Sequence, residues 1–170
     1  MRELTGDYPG AARDFGEALT ISRAIGNRNG QANALNGLGV ARRGMGDYPG
    51  AARDLAEALV IYRDIGNRDG QAEVLNETGT LHRVIGEIAQ AEACHQQALE
   101  LGRAVGSADR EAHALVGLGR CAAAGGDFAR AGTLLRQAHE MFRRIGAADA
   151  AAVLAELDSL TSQHPIARPA

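Results

Sequence analysis

Five histidines and two cysteines are the first residues of this 170-residue chain to weigh for metal-ligating or nucleophilic chemistry. They are His82, His95, His113, His139 and His164, with Cys94 and Cys121. Cys94 and His95 are adjacent, so on a helix they leave by different sides. His113 and Cys121 stand eight residues apart, two helical turns, and supply one ligand each. No metal site is expected from such a set, and packing or surface roles are. No Ser–His–Asp or Cys–His arrangement is indicated. Gly117-Leu118-Gly119 has the composition of a phosphate cradle but belongs to helix packing. A Gly-x-x-x-x-Gly-Lys-Ser/Thr loop is impossible, because the chain has no lysine. The expectation is therefore no cofactor and no enzymatic activity.

Composition narrows the class further. The hydrophobic fraction is 45%, yet aromatics are only 4%, tryptophan is absent and glycines number 22. Small residues must do the packing, which argues against an aromatic platform for nucleic acid. All 18 basic residues are arginine and the net charge is −3, a poor balance for binding a polyanion. No apolar run is long enough for a membrane span, and Met1-Arg2-Glu3-Leu4-Thr5 opens no signal peptide. Two cysteines make no disulfide framework. A cytoplasmic location is expected, and the arginine–alanine bias suggests a high-GC bacterium.

The elements that position these residues come from a repeat. Asp7-Tyr8-Pro9-Gly10-Ala11-Ala12-Arg13-Asp14 returns as Asp47-Tyr48-Pro49-Gly50-Ala51-Ala52-Arg53-Asp54, and units 7–46 and 47–86 agree at 25 of 40 positions. Fainter copies follow at 87–126 and 127–160. Asp47 is a good N-cap with Pro49 in the first turn. Ala51, Leu55, Ala58, Leu59 and Tyr62 then recur at helical spacing. Gly66 stops that helix and Asn67 caps the next, which Gly86 ends. Eight helices are predicted, near 7–25, 28–44, 47–65, 68–84, 87–105, 108–124, 127–145 and 148–160, with a flexible tail over 161–170. Ala18, Ala58, Ala98 and Ala138 hold one register. Gly39, Gly79 and Gly119 hold another inside helices, where each costs about 1 kcal/mol relative to alanine. A cost repeated in register implies close helix approach.

Leu35-x-x-Leu38-Gly39, followed by Gly46, Tyr48, Ala51, Leu55 and Ala58, resembles the tetratricopeptide repeat. Leu75-x-x-Thr78-Gly79 and Leu115-x-x-Leu118-Gly119 open similar copies. The long period is similar to the kinesin-light-chain and Pins-type variant. Ile25-Gly26-Asn27-Arg28 and its copy are similar to the repeats of actinobacterial antibiotic-regulatory-type regulators. The resemblance covers roughly 1–160 and implies an all-α, right-handed solenoid of antiparallel helix pairs. It also implies that the Leu-Gly helices line a concave groove. Carried over, the groove presents Asn33, Asn36, Val40 and Arg43, then Glu73, Asn76, Thr80 and Arg83, then His113, Val116 and Arg120. Asn36 and Asn76 are equivalent, and a carboxamide can both donate to and accept from a peptide backbone. Arg43 and Arg83 are equivalent too, and guanidinium suits a partner's carboxylates. The lysine-dependent carboxylate clamp of chaperone co-factors is not matched.

Residues 1–5 align with 41–45, the last turn of a Leu-Gly helix. The helix at 7–25 thus lacks its usual partner, which suggests self-association through it. Val153-Leu154-Ala155-Glu156-Leu157 has lost the Leu-Gly pair and is expected to be a C-terminal cap. Surface pairs such as Asp14 with Arg13 and Asp64 with Arg63 are expected to contribute little. The function expected is a non-enzymatic module that binds a peptide or protein in the groove. A regulatory sensor from a larger transcriptional regulator and a self-assembling structural array are the alternatives.

Overall fold

Helix boundaries in this chain are written by local chemistry. Asp7, Asp47 and Asp127 accept from the backbone N–H of Gly10, Gly50 and Arg130 at 2.9, 2.9 and 3.0 Å. Asn27 and Asn67 do the same for Gly30 and Gly70 at 2.9 Å. These bonds satisfy donors that a helix start leaves open. Gly66, with φ at 70°, reverses the chain at the far end, as Gly26, Gly46, Gly86, Gly106, Gly126 and Gly146 do in their turns. The computed structural model describes residues 6–163. Over them run α1 (Tyr8–Ala24), α2 (Arg28–Gly44), α3 (Tyr48–Asp64), α4 (Arg68–Val84), α5 (Ile88–Val105), α6 (Ala108–Ala124), α7 (Phe128–Ile145) and α8 (Asp149–Gln163). Helix α8 continues through Thr161 to Gln163, past the predicted end near 160. His164 and the two tail prolines, Pro165 and Pro169, lie outside the described residues.

Such short turns fold each helix back against its predecessor. Beyond those sequential pairs, α2 packs on α4 and α4 on α6, while the odd-numbered helices make no comparable contacts with one another. The even row is therefore the closed, concave side and the odd row the splayed outer side. This is an all-α repeat superhelix.

Small residues make the close approach possible. Ala51, Ala58, Ala91, Ala98, Ala131 and Ala138 are fully buried. A methyl group on Gly39 would sit 2.7 Å from Leu55 Cγ, and one on Gly119 would sit 3.1 Å from Leu135 Cγ. At Gly79 the neighbour is instead the His95 ring, with Nε2 at 2.7 Å. Glycine is needed at this register because the large side chain of the following helix lies against the backbone.

Helix α1 departs from the pattern. Ala18 is exposed although it shares the register of buried Ala58, and Phe15 is 38% exposed where Leu55 is 1% exposed. The reason is that α1 has a neighbour, α2, on one side only among the described residues. The core forms two clusters, one over α1–α4 and one over α4–α8, with Leu59 packed against both. Beside that junction lies an apolar hollow of about 420 Å³, walled by Tyr48, Pro49, Leu59, Leu81 and Ile85 among others. Asp64 pairs with Arg28 at 3.1 Å and not with Arg63, because the ends of α2 and α3 meet there.

Candidate functional site

The Leu-Gly helices α2, α4 and α6 carry every residue predicted for the groove, but the side chains fall into three groups, the first and third of which share Asn76. The first holds the array together. Asn36 is buried, and its Nδ2 donates to Glu73 Oε1 at 3.0 Å. Glu73 also accepts from Arg110 Nη2 at 2.8 Å, and Arg110 reaches on to Asp69. Tyr62 donates its hydroxyl proton to Asn33. Asn76 donates from Nδ2 to the Arg110 carbonyl at 3.4 Å. The amide nitrogens of these carboxamides thus donate within the array, joining α2 to α4 and α4 to α6, while Asn36 Oδ1 is buried without a partner. Sequence register showed that they were equivalent; only packing shows that their hydrogen bonds point along the stack.

Val40 forms the second group. It lies nearer the N-terminal end, in a shallow hollow of about 220 Å³ with Tyr8, Phe15 and Ala41.

The third group converges. Arg43, Asn76, Thr80, Arg83, His113, Val116 and Arg120 line one recess of about 180 Å³ over α2, α4 and α6. Glu77, His95 and Gly117 complete it. Arg43 donates from Nη2 to Glu77 Oε2 at 2.9 Å. Arg120 grips Glu156 of α8 through two nitrogens, at 3.0 and 2.7 Å. Thr80 returns its hydroxyl to the Asn76 carbonyl at 3.0 Å. His113 donates from Nδ1 to the Asp109 carbonyl at 2.9 Å, and its ring meets Phe142 edge-on at 4.9 Å. The Arg83 side chain has no hydrogen-bond or ion-pair partner among the described residues.

His95 enters this recess from α5. Its Nδ1 lies 3.1 Å from Asn76 Oδ1, so with the Asn76 amide nitrogen on Arg110 the imidazole proton belongs on Nδ1. Its Nε2 is buried without a partner. Burial first, and then the cations of Arg83 and Arg120, push its pKa from 6.5 down to about 4. At neutral pH it is an uncharged ring filling space. Burial likewise raises the Glu77 carboxyl above its usual value, with Arg43 opposing. The signal for His95 was present in the sequence. Phe15, Leu55, His95 and Leu135 share one register, so a histidine stands where the other units carry a large apolar side chain. Among the described residues, no group of three or more His, Cys, Asp or Glu side chains could hold a metal, and no helix is long and apolar enough to cross a membrane.

Comparison with known proteins agrees with this architecture. Residues 70–144 and 31–65 each match a tetratricopeptide repeat family. BtubC (BKLC) from P. vanneervenii has a similar structure, with a TM-score of 0.78 at 19% identity over 94% of this chain and 67% of that one. TPR-like repeats from Podosopora anserina, assigned to a kinesin light chain, superpose with a TM-score of 0.65 at 14% identity, covering 94% of this chain and 82% of that one. At these identities the likeness is one of fold. No curated protein matches the chain in sequence.

Proposed function

The chain belongs to the tetratricopeptide repeat family, and we propose that it is a protein-interaction module whose concave face, over α2, α4 and α6, receives a peptide or protein segment. Tetratricopeptide arrays are generally interaction modules rather than enzymes. The observation that carries the concave-face reading is the recess itself. Three arginines from three successive Leu-Gly helices converge there, beside half-exposed Thr80 and His113. The helices are cross-braced by Asn36–Glu73, Arg110–Glu73 and Arg43–Glu77, so the receptor loses little freedom on binding. Guanidinium groups in such a frame favour segments that carry carboxylates.

Site-specific photocrosslinking tests this reading. A benzoylphenylalanine replaces His113 on the concave side, or exposed Val60 on outer helix α3. Partner peptides attached at position 113 and not at position 60 are expected. Attachment only at position 60 would overturn the concave-face reading.

A second reading, self-association through α1, is supported by the exposure of Phe15, Ile21 and Ile25 on that helix and the turn after it. Light scattering over a concentration series should show a rising mass that Phe15→Glu abolishes. A constant monomeric mass would exclude it.

A further inference from the structure

Arg43 on α2 and Arg83 on α4 are equivalent residues in successive units. Arg43 is satisfied by the next Leu-Gly helix, through Glu77 at 2.9 Å. One unit on, the position equivalent to Glu77 is Gly117, which has no side chain to offer. The glycine is required there. A methyl group at Gly117 would collide with the His95 ring, just as one at Gly37 would sit 2.5 Å from the Phe15 ring. Wherever this register carries a ring, at Phe15 or His95, the facing residue is glycine; where it carries Leu55, the equivalent residue is Glu77. Accommodating His95 therefore removes the carboxylate that Arg83 would otherwise meet.

The consequence is an unbalanced cation in a partly enclosed place. Among the half-buried arginines of the described residues, Arg42 bonds Asp54, Arg43 bonds Glu77, Arg110 bonds Glu73 and Arg136 bonds Thr133. The Arg83 side chain alone among them bonds nothing. The other two recess arginines are already neutralised, Arg43 by Glu77 and Arg120 by Glu156. The net charge left at the recess is that of Arg83. The space left by the missing side chain is the recess of about 180 Å³, floored by Gly117 and the buried His95.

We propose that Arg83 is an open rung of the arginine–carboxylate ladder, and that a carboxylate brought by the bound segment occupies the place at Gly117 that Glu77 fills for Arg43. The inference rests on the concave-face reading and names the chemistry recognised there. Glutamate and aspartate side chains and a free C-terminus present the same group, and a guanidinium can hold either in two parallel hydrogen bonds.

The test follows the Arg83 Nε–Hε signal in ¹⁵N–¹H spectra of the full chain. Three probes are titrated: acetyl-Ala-Glu-Ala-amide, acetyl-Ala-Ala-Ala with a free carboxylate, and acetyl-Ala-Gln-Ala-amide. One or both carboxylate probes should shift Arg83 saturably, and the carboxamide should not. The tighter of the two identifies the source. Followed through the backbone amide of Gly117, which lines the recess in every variant, Arg83→Gln should weaken the carboxylate titration about tenfold or more, and Arg63→Gln, on the outer surface, should leave it unchanged. With carboxylate bound, His95 should protonate at a higher pH, because the cation that opposes its charge is neutralised. An equal response to the carboxamide, a silent Arg83, or unchanged affinity in Arg83→Gln would overturn the proposal. Those results leave crosslinking at position 113 unaffected. Crosslinks confined to position 60 would sink the concave-face reading while leaving the Arg83 titration intact.

Discussion

The α2–α3 and α4–α5 pairs are copies of one another, and they solve the same packing problem differently. In the first, Leu55 lies against Gly39 and is 1% exposed. In the second, His95 lies against Gly79, equally buried, and also against Gly117. The hydrocarbon solution leaves room for Glu77, and Arg43 is paired. The imidazole solution demands Gly117, and Arg83 is left open. A choice made inside the array thus sets the charge presented on its concave surface. Core and concave face are one problem here, because each even helix touches both.

The largest expected break in this comparison is Leu55→Ala. It empties a buried position in the tightest part of the N-terminal cluster and should cost about 2–5 kcal/mol, read by urea unfolding. Close behind is the pH dependence of the α4–α5 pair. His95 titrates near 4 in the fold against 6.5 when free, so between those values the unfolded chain binds the extra proton. Stability should rise with pH through that window and fall as pH drops from about 6.5 to about 4. Glu77, whose carboxyl is raised, acts in the opposite direction, since protonation relieves its burial. The shift of His95 corresponds to about 3 kcal/mol at most. His95→Leu, which makes the position like Leu55 and Leu135, should flatten the difference between unfolding curves at pH 7 and pH 4.5. An unchanged pH dependence in that variant would show that other groups govern it.

Gly117→Ala should come next. The added methyl meets the His95 ring between two backbones that cannot both retreat, and about 1–3 kcal/mol should be lost. Combining Gly117→Ala with His95→Ala should recover part of that loss, since the two changes share one space. The smallest effect separates the two arginines. Arg43→Gln leaves Glu77 half-buried without its cation and should cost about 1–3 kcal/mol. Arg83→Gln breaks no hydrogen bond or ion pair and should stay within about 0.5 kcal/mol of wild type. Equal costs for the two would mean that Arg83 has found a carboxylate of its own within the array.

Much of this was legible before any coordinates. Asp47, Pro49, Gly66 and Asn67 act within a few residues of chain, so caps and turns could be read directly, and the forty-residue recurrence multiplied each signal. The in-register Gly39, Gly79 and Gly119 correctly implied close approach. The groove was legible as a row of positions but not as a set of free side chains. Asn36 and Asn76 have the chemistry to bind a peptide, yet the Asn36 amide nitrogen is taken by Glu73 and both ends of the Asn76 carboxamide by Arg110 and His95. The equivalence of Ala18 to Ala58 was likewise readable, while its exposure was not, because exposure depends on which helix lies alongside.

The sequence by itself determined the eight helices, their turns and their stacking, since capping, periodicity and repetition are local or recur with the chain. Only the tertiary structure decided which polar groups are satisfied. Hydrogen bonds and ion pairs here join residues more than thirty positions apart, such as Arg43 to Glu77 and Arg120 to Glu156. Whether a guanidinium is paired or open depends on what the next helix places within about 3 Å, and at Arg83 that was settled by the width of the His95 ring.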